Sequence, residues 1–169
     1  VIDSSRKSLR PTVRRTDVSF TFYPPTLQQL YPINRARIRA LIEEALKGKG
    51  AELSIVYVDE EEMTRLHKTF LGEEGPTDVL AFPDKDRSGR VIGEIVVCVP
   101  VAIKMVEELG GRTTPDSGDV EGEIMLYTLH GLLHIMGYDD KKEKDAKRMH
   151  LKEKEILAKF GHKIKGLGI

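Results

Sequence analysis

A chain of 169 residues, 40% hydrophobic and 32% charged, has the length of one domain and is too rich in apolar residues to stay disordered. No run approaches the roughly 18 apolar residues that a membrane span needs, and the early stretch "SSRKSLRPTVRR" lacks the apolar centre of a secretory signal, so a cytoplasmic protein is expected. The net charge is zero, but residues 1–47 hold 9 Lys/Arg against 4 Asp/Glu, residues 141–169 hold 10 against 4, and residues 48–140 hold 8 against 19, a basic rim around an acidic middle.

Residues 1–15 carry almost no apolar periodicity and are expected to form a flexible basic arm, with a single domain over 16–165. "DVSFTFY" alternates and is β-branched and aromatic enough for a strand. After Pro24-Pro25 and Pro32, "INRARIRALIEEALK" repeats Ile33, Ile38, Leu41, Ile42 and Ala45 at helical spacing and stops at Gly48 and Gly50. "AELSIVYV" reads as a strand, Asp59 is placed to cap the next helix, and "EEEMTRLHKTFL" sets Met63, Leu66 and Phe70 on one side. "TDVLAFP" and "VIGEIVVCV" are strands flanking the turn cluster "DKDRSGR"; the helix "PVAIKMVEELGG" then begins at a proline and ends in glycines. "PDSGD" leads into the long apolar helix "VEGEIMLYTLHGLLHIMG", closed by Gly137. The expected fold is α/β: one small mixed sheet packed with helices. Cys98, the only cysteine, lies in the apolar run "EIVVCVPV" and is expected to fill core.

The stretch "HGLLHIMGYDD" carries the chemistry. Residues four apart project from one helix face, so His130 and His134 can present imidazole nitrogens to one ion. Gly137 can take the left-handed conformation that ends a helix, letting the chain return Asp140 over the same face. Two nitrogens, one carboxylate oxygen and an open position are the set expected of a catalytic zinc rather than a structural one, and an open zinc implies hydrolysis. The bland alternative is a pair of core histidines satisfied by hydrogen bonds. The glutamate that serves a zinc protease as base is replaced here by Gly131. His67, His150 and His162 lack ligand-like spacing and are expected at the surface.

Taken with "GPTDVLAFP" and "IGEIVVCV", this stretch resembles the YbeY family of bacterial rRNA maturation factors, most specifically over residues 52–140. The resemblance implies a single-strand-specific, metal-dependent endoribonuclease with one zinc ion per chain on His130, His134 and Asp140. It implies ribosomal RNA as substrate, in maturation of the 16S rRNA 3′ end and ribosome quality control. The implied partners are the small ribosomal subunit and its assembly factors, among them the GTPase Era. The reaction would be phosphodiester hydrolysis by a water that the ion activates. Asp78 and Glu94 are candidates to orient groups around the site, or else strand-end acids in turn networks.

Three positions depart from the family pattern: Asp140 stands for a third histidine, Leu71 for an arginine and Ala81 for a serine. Asp140 keeps a hard anionic ligand but makes the ion a poorer Lewis acid. Leu71 removes a planar fork that would grip phosphate, and Arg65 and Lys68, on the same predicted helix, are the candidate phosphate contacts in its place. Two other classes fit parts of the sequence: a metallopeptidase, which Gly131 deprives of its usual base, and a non-catalytic ribosome-assembly factor that binds rRNA through the basic rim.

Overall fold

The structure, a computed structural model, describes residues 15–85 and 88–164; the arm expected over 1–15 lies outside them except for Arg15, whose carbonyl already accepts from Ala51 N. Strands β1 (Thr16–Tyr23), β2 (Ala51–Val58), β3 (Val79–Asp84) and β4 (Val91–Cys98) form one sheet in the order β1-β2-β4-β3. The first three in that order run parallel, and β3 returns antiparallel to β4. Crossovers between the parallel strands require helices: α1 (Leu27–Leu30) and α2 (Arg35–Leu46) join β1 to β2, and α3 (Glu60–Leu71) follows β2. After β4 come α4 (Val99–Glu108), α5 (Asp119–Ile135) and α6 (Glu143–Ala158). The mixed α/β sheet expected from the sequence is present; α1 was not foreseen.

Strand alternation divides the core in two. Ile95 and Val97 of β4 face the main core with α2, α4, α5 and α6, whereas Val96 and Cys98 face a smaller cluster around Met63 of α3. Burial pushes the Cys98 thiol up to about 11, as befits an inert core filler. Asp59 caps α3 by accepting from Glu62 N at 2.9 Å. The buried stripe of α3 is Met63 and His67, with Phe70 58% exposed. His67 earns its burial through a 2.8 Å contact from Nδ1 to the Gly75 carbonyl, so the expectation of a surface histidine fails there.

Apolar side chains line α5 on nearly every side, as in a core helix. Its Leu129 and Leu132 are fully buried, each contributing about 1.5–3 kcal/mol by the transfer of a leucine side chain from water. What sets its rotation is Gly131: a Cβ there would lie 2.7 Å from Ile95 Cγ2 and 3.2 Å from Val79 Cγ2. The helix therefore seats directly on β3 and β4. Gly131→Ala gains about 1 kcal/mol of helix propensity, but forces a branched, buried isoleucine aside at about 1–3 kcal/mol. Thermal unfolding of the variant is expected to show a net loss of stability; a raised Tm would show that the contact yields.

Candidate metal centre

With Gly131 against the sheet, His130 and His134 occupy an adjoining stripe of α5, their side chains 29% and 30% exposed. The helix ends in a Schellman motif: Gly137, at φ +100°, donates to the His134 carbonyl at 3.0 Å, and Tyr138 N donates to the Leu133 carbonyl at 2.9 Å. Asp139 then ties the return, its Oδ1 accepting from Asp140 N at 2.8 Å and Lys141 N at 3.1 Å. The Lys141 amide is the main cause that holds the Asp139 carboxyl below its usual range. This turn delivers Asp140 to the histidines.

His130 Nε2 and His134 Nε2 lie 3.0 Å apart, each 3.5 Å from Asp140 Oδ2. Both Nδ1 atoms are engaged elsewhere. His130 Nδ1 sits 2.6 Å from Oε1 of buried Glu153, and His134 Nδ1 3.1 Å from the Tyr138 carbonyl. A carboxylate and a carbonyl only accept, so each Nδ1 carries the proton and each Nε2 turns a lone pair towards the other. Two lone pairs and a carboxylate oxygen so close repel one another unless a proton or a metal cation sits among them. Their separations bracket the edge of about 3.3 Å of a tetrahedron whose ligands stand ~2.0–2.1 Å from zinc. The donor set thus fits a metal ion, and His130, His134 and Asp140 form a group that could hold one.

The surroundings are acidic. Burial is the largest influence on His130 and pulls its pKa down, but Glu153, with Asp78 and Asp140, outweighs it and leaves His130 above the ordinary histidine value. Asp78 opens β3, its Oδ1 accepting from Val79 N at 2.8 Å and Thr77 Oγ1 at 3.2 Å. Its charge acts also on Glu123 and Tyr127 of the same α5 stripe, both raised chiefly by burial. Glu94 lies on the other face of the sheet from α5, exposed, in a groove with Glu52 and Ser54, away from the histidines.

The model of the family Endoribonuclease YbeY matches residues 26–161. The chain belongs to the YbeY endoribonuclease family. Its Acidothermus cellulolyticus relative, an Endoribonuclease YbeY, is 38% identical over 140 residues, 75% of this chain and 76% of that protein. The Thermobifida fusca Endoribonuclease YbeY is 37% identical over 133 residues, 73% of this chain and 81% of the other. A Thermotoga maritima protein solved in solution superposes with a TM-score of 0.56 at 28% identity, over 83% of this chain and 86% of its own.

Against the YbeY pattern, the substituted Asp140 stands at the cluster, whereas Leu71 ends α3 with its side chain 58% exposed and offers phosphate no fork. The candidate replacements are placed on α3, across the sheet from α5, and are occupied: Arg65 bonds Glu62 through Nε at 2.9 Å, and Lys68 pairs with Glu74 at 3.4 Å. The structure does not bring either to the histidines. Glu153 was missed in the sequence because it sits in a Lys/Glu-rich helix that reads as solvated; only the buried Met149, Ile156 and Leu157 around it mark an inward stripe. His150, expected at the surface, is largely covered, its Nδ1 3.6 Å from Glu153 Oε2. His162 is covered too, its ring filling the notch at Gly122.

A carboxylate that fixes a ligand's tautomer and angle ordinarily matters 10–100-fold to metal affinity. Glu153→Ala is therefore expected to weaken zinc binding by roughly that factor in a competitive chelator titration, and Glu153→Gln, which keeps an accepting oxygen, by less. Equal affinity in all three proteins, each with a native thermal transition, would remove Glu153 from the site.

Proposed function

We propose that the chain cleaves single-stranded segments of ribosomal RNA by phosphodiester hydrolysis, in maturation of the 16S rRNA 3′ end and ribosome quality control, with one zinc ion held by His130, His134 and Asp140. The observation that carries this reading is the convergence of two Nε2 lone pairs and one carboxylate oxygen within 3.5 Å of one another, in a chain of an endoribonuclease family. Two imidazoles with one carboxylate and no cysteine are the ligand chemistry of a catalytic rather than a structural zinc. When bound, the ion supplies Lewis acidity, lowering the pKa of a water towards ~7 and polarising a phosphoryl oxygen.

The protein's own residues do the rest. Glu153 and the Tyr138 carbonyl accept the Nδ1 protons in hydrogen bonds and so fix both rings with Nε2 turned towards the place of the ion. Asp140, 44% exposed, keeps the mouth of the site open to a strand of RNA. Asp140 and Asp78 favour a cation over a bare phosphate, which makes the negative substrate depend on the ion for its place. Gly131, where a peptidase carries its base, faces Ile95 instead of the site, so peptide hydrolysis lacks its proton acceptor. No helix among the described residues is long and apolar enough to cross a membrane. The setting proposed for the reaction is the cytoplasmic small ribosomal subunit with its assembly factors, the GTPase Era among them.

Single-turnover cleavage of one single-stranded rRNA fragment, with metal content determined on the same samples, tests the reading. His134→Ala is expected to lose bound zinc to well below one per chain and to cut no faster than the chelator-treated native protein. Cleavage that persists in His134→Ala would overturn the metal-dependent mechanism. Stoichiometric zinc with no cleavage by the native protein would favour an assembly factor that uses the metal only for its fold.

A further inference from the structure

Beside the metal centre, on the surface that α6 presents, lies a cationic stripe that the proposed mechanism does not use. Lys144, Arg148 and Lys152 follow one another at four-residue spacing on α6, which stacks three like charges on one side of a helix. Lys152 meets Glu155 at 3.6 Å and the neighbouring Lys147 meets Glu143 at 3.2 Å. Lys144 and Arg148, both exposed, form no ion pair among the described residues. A helix relieves such a row with acids three or four residues away; here Glu155 does so for Lys152 and leaves Lys144 and Arg148 open to an outside anion.

The stripe has an aromatic member. The Arg148 guanidinium lies over the Tyr138 ring, 5.7 Å from its centroid. Tyr138 is fixed through its backbone: its N–H donates to the Leu133 carbonyl and its carbonyl accepts from His134 Nδ1, while its ring packs, partly buried, against the main core. Tyr138, Lys144, Lys147, Arg148, Leu151 and Lys152 wall a groove of about 370 Å³, with Glu155 its one acid, near the lower end of small-ligand clefts. Leu151 is 62% exposed and adds an apolar floor. A π-face, a planar guanidinium and the unpaired Lys144 ammonium together form a platform for an unpaired base with its phosphate. Stacking of this kind tolerates any base sequence, but it needs a base that is free of a duplex partner.

We infer that Tyr138 and Arg148 form a nucleotide subsite beside the metal centre, in which one unpaired base of the RNA stacks on the Tyr138–Arg148 pair while Lys144 and Arg148 meet its phosphate. This rests on the proposed RNA hydrolysis at His130, His134 and Asp140. It makes Tyr138 a positioning residue for single strands and gives the chain a phosphate grip that Leu71 does not supply. Tyr138 stands two residues before Asp140, so the subsite is built on the turn that carries one of the proposed metal ligands.

Fluorescence anisotropy with the full chain, using a short single-stranded oligoadenylate and a fully paired RNA hairpin, tests it. Tyr138→Leu is expected to raise the Kd for the single strand on the order of 10-fold, with hairpin affinity and zinc content unchanged; Tyr138→Phe is expected to keep native affinity. Arg148→Ala, an exposed change that leaves the backbone anchor intact, is expected to weaken single-strand binding and to lower the slope of log K against log salt by about 0.7. Unchanged affinity in both Tyr138→Leu and Arg148→Ala would overturn the subsite, as would an equal loss for strand and hairpin. Failure of the catalytic reading shows separately, as cleavage persisting in His134→Ala, so the two cannot be confused.

Discussion

The seating of α5 on the sheet through Gly131 is the constraint on which the rest depends. A helix that is apolar on most sides could be rotated in several ways without exposing much more hydrocarbon, so burial alone does not decide which residues look outward. The missing side chain decides it, because only that face can approach Ile95 and Val79 closely. Once Gly131 points at the sheet, His134 and His130 lie about 60° and about 100° round the helix from it, partly exposed at the edge of the core rather than within it. The same contact accounts for the absence of a protease-like glutamate at this position: a side chain there would be aimed at the sheet.

Around that helix the site is assembled largely by backbone hydrogen bonds. The Schellman end at Gly137 turns the chain, Asp139 ties the turn, and the Tyr138 carbonyl returns to hold His134. The one distant contribution is Glu153, brought from α6 by the burial of Met149, Ile156 and Leu157 on its own helix. A buried carboxylate is costly unless it is paired, and Glu153 meets that condition at His130, with His150 near its second oxygen. Packing of α6 and tuning of the metal-site ring are thus one interaction, and disturbing either disturbs both.

The features legible in the sequence were those with a short period or a fixed offset. Strand alternation, the Asp59 cap, the i, i+4 histidines, and the glycine that lets Asp140 return all depend on residues close in the chain, and the structure shows each in place. Contacts between elements were not legible. The pairing of His130 with Glu153 spans 23 residues, and nothing local separates Glu153 from the solvated acids beside it. The same blindness put His67, His150 and His162 at the surface, since a histidine's burial depends on what packs over it. It also made Arg65 and Lys68 attractive: spacing along α3 gives no sign that α3 and α5 lie on opposite faces of the sheet. The YbeY motifs reached further than periodicity because they join segments that meet only after folding.

The central claim is that one zinc ion shares His130, His134 and Asp140, and X-ray absorption at the zinc edge of the zinc-loaded native protein tests it most directly. The account predicts a first shell of nitrogen and oxygen only, at ~2.0–2.2 Å, with the outer scattering of two imidazole rings and without sulfur. A sulfur scatterer at ~2.3 Å, or the signature of a single imidazole, would contradict it.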